Sequence, residues 1–359
     1  MFIITANNFH SYDKVKRKFL NIILILLSLF FISCSSSRNF ERINSPAADG
    51  KYDSEFPYIN ASKYLEEISN CIRLINSIAF YTSYVFDSNS LITIDELKKV
   101  DFEKKAIQKV YFNRTASGTA TLIYKGQDKI LFLTVAHVVS FEDTLISFFI
   151  NQDGSTSNYV QSISIKTRQT NYIPDLPSGS ELEIVLIDKN IDVALLGKKI
   201  LQTDLLNISV FNYPWGKSSE LEWGDFVYVF GYPMNLKMVT KALVSISSKE
   251  KNTFLIDAVF NRGSSGGIVL AIRDGVPNFE LVGLVKSVPA DFQYTVHPLT
   301  KDRNLDFNPM MPYKGELYVE REQILRTGIT KVICIEVIRD YIKLHKSYLA
   351  SKGYFLPEF

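Results

Sequence analysis

The chain has 359 residues, 46% hydrophobic and 13% aromatic, enough to bury a substantial core in about two domains or two halves of one large domain. Its 40 basic and 38 acidic residues are interspersed and leave a formal net charge of only +2, so no nucleic-acid partner is expected. Cys71 and Cys334 sit among apolar neighbours and are read as free buried thiols; without a Cys/His cluster at ligand spacing, neither a metal nor a cofactor is expected.

At the N-terminus, Lys14, Lys16, Arg17 and Lys18 precede the apolar run FLNIILILLSLFFIS, which leads into Cys34 and three serines. A basic stretch before an apolar segment too short to span a bilayer comfortably describes an export signal. FISC at its end resembles the lipobox of bacterial lipoproteins, with Phe31 where that motif prefers Leu. The resemblance implies a signal peptide over 1–33, lipidation of Cys34 with fatty acyl chains such as palmitate, and a mature chain tethered to a membrane of the bacterial cell envelope, outside the cytoplasm. Residues 34–58 are polar, carry Pro46 and Pro57, and suit a tether.

Leu65, Ile68, Ile72, Ile75 and Ala79 recur at helical spacing and predict an amphipathic helix from Ala61 to about Phe86, within an N-terminal helical extension over 59–104. After about residue 105 the pattern changes. Ten short β-rich runs follow, among them GTATLIY, KILFLTVA, DVALLG, DFVYVFGYP, GIVLAI and ELVGLVKSV, bounded by Gly, Asn, Asp or Pro. Strands without intervening helical patterns indicate an all-β barrel or sandwich. Val337, Ile338, Tyr341, Ile342 and Leu344 then predict a closing helix.

Of four histidines, His10 lies in the export signal, His297 in a polar stretch and His345 in the closing helix. His137 differs. It ends the run ILFLTVAHVV, which would place its imidazole at a strand terminus. Downstream, Asp192 precedes the aliphatics of NIDVALLG and could accept a hydrogen bond from that imidazole, with Asp143 and Asp188 as competitors. Further on, NRGSSGGIV sets two adjacent serines among three glycines, a turn able to expose a hydroxyl beside converging amide N–H groups.

Together TVAHVV, IDVALL and NRGSSGG resemble the three catalytic motifs of the trypsin-like serine peptidase superfamily, and are most similar to bacterial Deg-type (HtrA-like) proteases. The likeness extends to GTATLIY, GDFVYVFGYPMNL and GITKVICIEVIRDYI, covering about residues 105 to 350. It implies two six-stranded antiparallel β-barrels, at about 105–205 and 206–335, a C-terminal helix at about 336–352, and an active site in the crevice between the barrels. It further implies a serine endopeptidase acting on protein or peptide substrates. In the family's G-x-S-G-G pattern Ser265 matches the nucleophile, His137 the general base and Asp192 its orienting carboxylate. The N–H groups of Gly263 and Ser265 match the oxyanion hole, Lys286, Ser287 and Val288 the strand that pairs with substrate, and Val259 the base of the primary pocket.

Three departures stand out. No stretch after the closing helix could form a PDZ domain, so peptide-regulated oligomer behaviour does not carry over. Residues 291–326 are longer than the family's usual loop. Ser264 replaces the aspartate that binds the freed N-terminus in zymogens, so no N-terminal activation is expected. Two rivals remain: an α/β-hydrolase nucleophile elbow, which the strand-rich order opposes, and an inactive trypsin-fold lipoprotein that binds peptides or partners as a scaffold.

Overall fold

ILFLT, VALLG, FVYVFG and IVLAI lack polar alternation, and they become strands buried almost throughout, as a sheet covered on both faces requires. The computed structural model describes residues 48–57, 59–151, 154–176, 181–206, 208–247, 252–258, 261–287, 290–298, 310, 317–325 and 328–358. After helix α1 (Ser62–Ser69), the first barrel contains β1 (Ile72–Val85), β2 (Gln108–Lys125), β3 (Lys129–Thr134), β4 (Thr144–Ile150), β5 (Thr156–Tyr172), β6 (Glu181–Asp188) and β7 (Val193–Lys199). A one-turn helix, α2 (Ala136–Val139), follows β3. The order β1-β2-β3-β7-β6-β5 closes into a ring of six through the β1–β5 pairing, and β4 adds to β5.

The second barrel takes β8 (Phe226–Gly231), β9 (Met238–Ile246), β10 (Thr253–Ile256), β11 (Ile268–Ile272) and β12 (Phe279–Ser287). After a hairpin of β13 (Ala290–Pro298) and β14 (Leu317–Leu325) comes its last strand, β15 (Thr330–Cys334). The ring order is β10-β15-β12-β11-β8-β9. Val227, Val229, Val269, Val282 and Val332 fill its core together with Phe254 and Ile256. The expected all-β architecture of two six-stranded antiparallel barrels is therefore present. Closure leaves neither ring an unpaired edge.

One element differs from its expectation. The helix expected from Ala61 to Phe86 ends at Ser69, and Ile72–Val85 is β1. Ile75, Ser77, Ala79 and Tyr81 are buried at every second position. Ile75 and Ala79 satisfy both a two-residue and a helical period, while the buried Ser77 hides the alternation. Because β1 pairs with β2 from Ile72↔Thr121 to Val85↔Gln108, the first barrel begins at residue 72 instead of about 105.

The expected tether also needs correction where it is described. Residues 48–57 are bound to the second barrel: Tyr52 bridges Arg273, the Asp53 N–H donates to the Ile272 carbonyl, and the Phe226 N–H donates to that of Asp53. The Arg273 guanidinium lies 4.0 Å above the Tyr52 ring. Its Nε donates to both Glu280 oxygens at 3.1 Å and its Nη2 to Glu220 at 2.8 Å. The Tyr52 hydroxyl donates to Glu280 Oε2 at 2.8 Å. Burial, then the adjacent Glu280 carboxylate, push the Tyr52 phenol far above its usual range. The export signal and Cys34 lie outside the described residues.

At the other end, α3 (Ile335–Leu344) buries Ile335, Ile338, Tyr341 and Ile342. Its Arg339 Nη2 donates to the carbonyls of Trp215 and Gly216 at 2.8 and 2.6 Å. Beyond it, Tyr354 meets Tyr124 of β2 at 5.9 Å between ring centroids. The long stretch after β12 is an antiparallel hairpin, paired from Ala290↔Leu325 to Pro298↔Leu317, and it carries His297 on β13. Cys71 and Cys334 are buried thiols outside any disulfide, and burial pushes the Cys71 thiol up to about 12.

Candidate active site

Strands β3 and β7 are neighbours, and Thr134 pairs with Ala194 at the end of their ladder. His137 and Asp192 lie just beyond that pair. The carboxylate sits in a turn with φ of 62°, a left-handed conformation that Asp tolerates better than most residues. Its backbone carbonyl accepts the Ala136 N–H at 3.2 Å, and its Oδ1 accepts the His137 N–H at 2.9 Å. His137 Nδ1 lies 2.9 Å from Oδ2 and 3.1 Å from Oδ1. Asp192 is 6% exposed, whereas the His137 side chain is 45% exposed. The imidazole thus joins a buried carboxylate to open space. His137 itself sits on α2, one turn past the strand it was expected to end.

The competing carboxylates are engaged elsewhere. Asp143 pairs with Lys166 at 2.7 Å, and Asp188 accepts the N–H groups of Asn190 and Ile191 in its own turn.

Ser265 lies in the loop between β10 and β11. Gly263 and Gly266 have φ of 102° and 85°, where a side chain would be strained. A Cβ on Gly263 would stand 2.1 Å from the Tyr232 carbonyl oxygen, and one on Gly266 would stand 2.1 Å from that of Thr119. The two serines separate by burial. Ser264 is 2% exposed and its Oγ meets no hydrogen-bond partner among the described residues, while Ser265 is only half-buried. Neither the Gly263 nor the Ser265 N–H donates to an acceptor among the described residues.

Thr119, which the sequence motifs did not single out, ties this loop to the first barrel. Its hydroxyl donates to the Gly263 carbonyl at 2.8 Å and accepts the Tyr232 N–H at 2.9 Å. Its N–H donates to the Ser265 carbonyl at 2.7 Å, and its own carbonyl accepts the Thr134 hydroxyl at 2.7 Å. In sequence it was one threonine inside GTATLIY, and its complete burial is a product of the fold.

On the other side of the loop, the Gly266 N–H donates to the Val285 carbonyl at 2.8 Å, and the Val285 N–H donates to that of Gly267 at 2.7 Å. β12 therefore passes directly beside the loop. Lys286 follows, with its ammonium 3.9 Å from Asp192 Oδ2. Ser287 ends β12, while Val288 and Val259 lie outside the described residues. A large cavity of about 820 Å³ lies elsewhere, lined by Lys129, Glu181, Glu183, Lys198 and Tyr354 among others, and includes none of these groups.

Residues 118–284 match the family described as trypsin-like peptidase domain, a span that includes Thr119, His137, Asp192 and the loop bearing Ser265. Over this span the chain is similar to trypsin-like peptidase domains. Over 161 residues it is 28% identical to serine protease HTRA4 of Mus musculus, covering 40% of this chain and 32% of that one. It is 27% identical to serine protease HTR4 of Bos taurus over the same length, covering 40% and 31%. The chain thus spans about a third of the length of these curated relatives. Among solved structures, it is similar at 10% identity to the thermostable serine protease AL20 from an extremophilic microorganism, with a TM-score of 0.32 over 73% of this chain and 90% of that one. A further match is protease Anisep from Arthrobacter nicotinovorans, also 10% identical, with a TM-score of 0.33 over 75% and 98%.

Proposed function

We propose that the trypsin-like domain is a serine endopeptidase whose catalytic residues are Ser265, His137 and Asp192. The observation carrying this reading is the buried Asp192 carboxylate, bonded to both the backbone N–H and the Nδ1 of His137, in a domain whose half-buried serine sits on a glycine-shaped loop. His137 Nε2 takes the Ser265 proton as Oγ attacks a peptide carbonyl. Asp192 holds the Nδ1–H tautomer and stabilises the imidazolium. The developing oxyanion takes hydrogen bonds from the Gly263 and Ser265 N–H groups, each such donor contributing about 3 kcal/mol of transition-state stabilisation. His137 then protonates the departing amine, and water, deprotonated by His137, hydrolyses the acyl enzyme.

The substrate is a protein or peptide whose backbone adds to β12 at Lys286, Ser287 and Val288, a contact tolerant of side-chain sequence. The N-terminal motif supports an extracytoplasmic enzyme held to the membrane by acyl chains on Cys34, each buried CH₂ contributing about 0.8 kcal/mol. Labelling the full chain with a fluorophosphonate probe tests the catalytic reading. Covalent label on Ser265, absent from Ser265→Ala, is expected; an unlabelled folded wild-type chain would overturn it in favour of a binding scaffold. A fatty-acid analogue incorporated into wild type but lost in Cys34→Ala is expected for the anchor, and equal incorporation in both would refute it.

A further inference from the structure

Strand β12 pairs with β15 through Val285↔Val332 and next through Ser287↔Lys331, which leaves Lys286 as the extra residue of a β-bulge. A bulge breaks the alternation of side chains and re-aims one of them. Here the re-aimed chain is a lysine, and it leaves β12 directly after Val285, the residue that hydrogen-bonds the Ser265 loop. Its ammonium reaches 3.9 Å from Asp192 Oδ2, the oxygen that stands 2.9 Å from His137 Nδ1. The Lys286 side chain is 28% exposed and that of Asp192 only 8%.

We propose that Lys286 is a positioning residue of the His137–Asp192 pair, a role that rests on the catalytic reading above. At 3.9 Å the contact is an ion pair without a hydrogen bond, so its action is Coulombic. A buried carboxylate without enough compensation is costly, and the His137 N–H and Nδ1 compensate it from one side only. Lys286 supplies charge from the second barrel, favouring the ionised carboxylate in the orientation that receives Nδ1–H. The same charge has a second, opposite consequence. When His137 becomes an imidazolium during proton transfer, two cations share one carboxylate. Lys286 thereby sharpens orientation while competing with the imidazolium for that carboxylate. The charged groups paired with Asp192 among the described residues are His137 on α2 and Lys286 on β12.

The two consequences make the role separable from simple substrate pairing. Lys286→Met in the full chain should lower kcat roughly five-fold, the scale of one partly exposed ion pair, with KM little changed. It should also move the acidic limb of the kcat/KM profile to higher pH, because the imidazole loses a repelling neighbour. Lys286→Arg should restore both quantities toward wild type. A raised KM with unchanged kcat and an unmoved limb would overturn the proposal and leave Lys286 as a substrate contact alone. Fluorophosphonate labelling in parallel separates the two levels: unlabelled wild type fails the catalytic reading, whereas labelled wild type with an unshifted Met variant fails only the role of Lys286. If Lys286→Met melts early, the methylene-shortened Lys286→Gln, matched in Tm, decides by the same limb.

Discussion

The two barrels hold the candidate catalytic groups by different means. In the first, His137 and Asp192 meet because β3 and β7 are adjacent strands of one ladder, and one carboxylate serves both the backbone and the ring of the histidine. In the second, the loop bearing Ser265 depends on two glycines at positive φ and on a threonine that belongs to the first barrel. The histidine–aspartate pair is thus assembled within one barrel. The serine's position is a property of the contact between both, since Thr119 reaches the Gly263 carbonyl, the Ser265 carbonyl and the Tyr232 N–H at once.

The sharpest way to break the contrast is to remove one group from each side. His137→Ala, Asp192→Asn and Ser265→Ala should each lower kcat/KM by roughly four orders of magnitude or more, and the double variants should be no worse, because the three groups act as a unit. Steady-state kinetics at matched melting temperature checks this; losses that multiply would mean independent roles.

Stability should respond more strongly on the second-barrel side. Arg273→Met leaves Glu280 buried without its cation and should cost about 3–5 kcal/mol in denaturant unfolding. Chains shortened past Tyr52 should show a comparable loss, whereas chains starting between residues 35 and 48 should share one kcat/KM whatever their first residue. Dependence on one particular free N-terminus would mean that an amine switch operates despite Ser264.

A smaller change tests whether the first barrel holds the Ser265 loop. Thr119→Val keeps the shape but strands the Gly263 carbonyl and the Tyr232 N–H, so about 1–3 kcal/mol of stability should go, and kcat should fall more than KM rises. Unchanged kcat would show that the second barrel fixes its loop alone. The smallest effect belongs to Ser264→Ala. That substitution removes a buried hydroxyl with no partner among the described residues, so stability should move by no more than about 0.5 kcal/mol and Ser265 labelling should persist. Loss of labelling there, with retention in Ser265→Ala, would exchange the two serines.

Much of this architecture was legible where chemistry is local. Continuous apolar runs such as ILFLT and IVLAI announced strands covered on both faces, and all ten β-rich runs fall on strands. β5 and β9 escaped because their exposed positions carry polar residues such as Thr167, Arg168 and Lys241 within mixed patterns. β1 escaped because Ser77 occupies a core-facing position. For the candidate site, the resemblance to the trypsin-like motifs named His137, Asp192 and Ser265, while Asp143 and Asp188 could be set aside only once their partners were visible.

What the sequence determined by itself is what short-range physics controls: glycines that permit positive φ around Ser265, an aspartate that tolerates a left-handed turn, and apolar runs that must be buried. Only the tertiary structure decided that residues 72–85 close the first barrel, that Tyr52 and Asp53 bind the second, that Thr119 spans the gap to the loop, and that a bulge carries Lys286 to Asp192. Each of these rests on register and on partners tens to hundreds of residues away. A one-residue slip would turn every side chain of a strand to its other face, so such contacts are set by how the sheets close and leave little trace in the residues nearby.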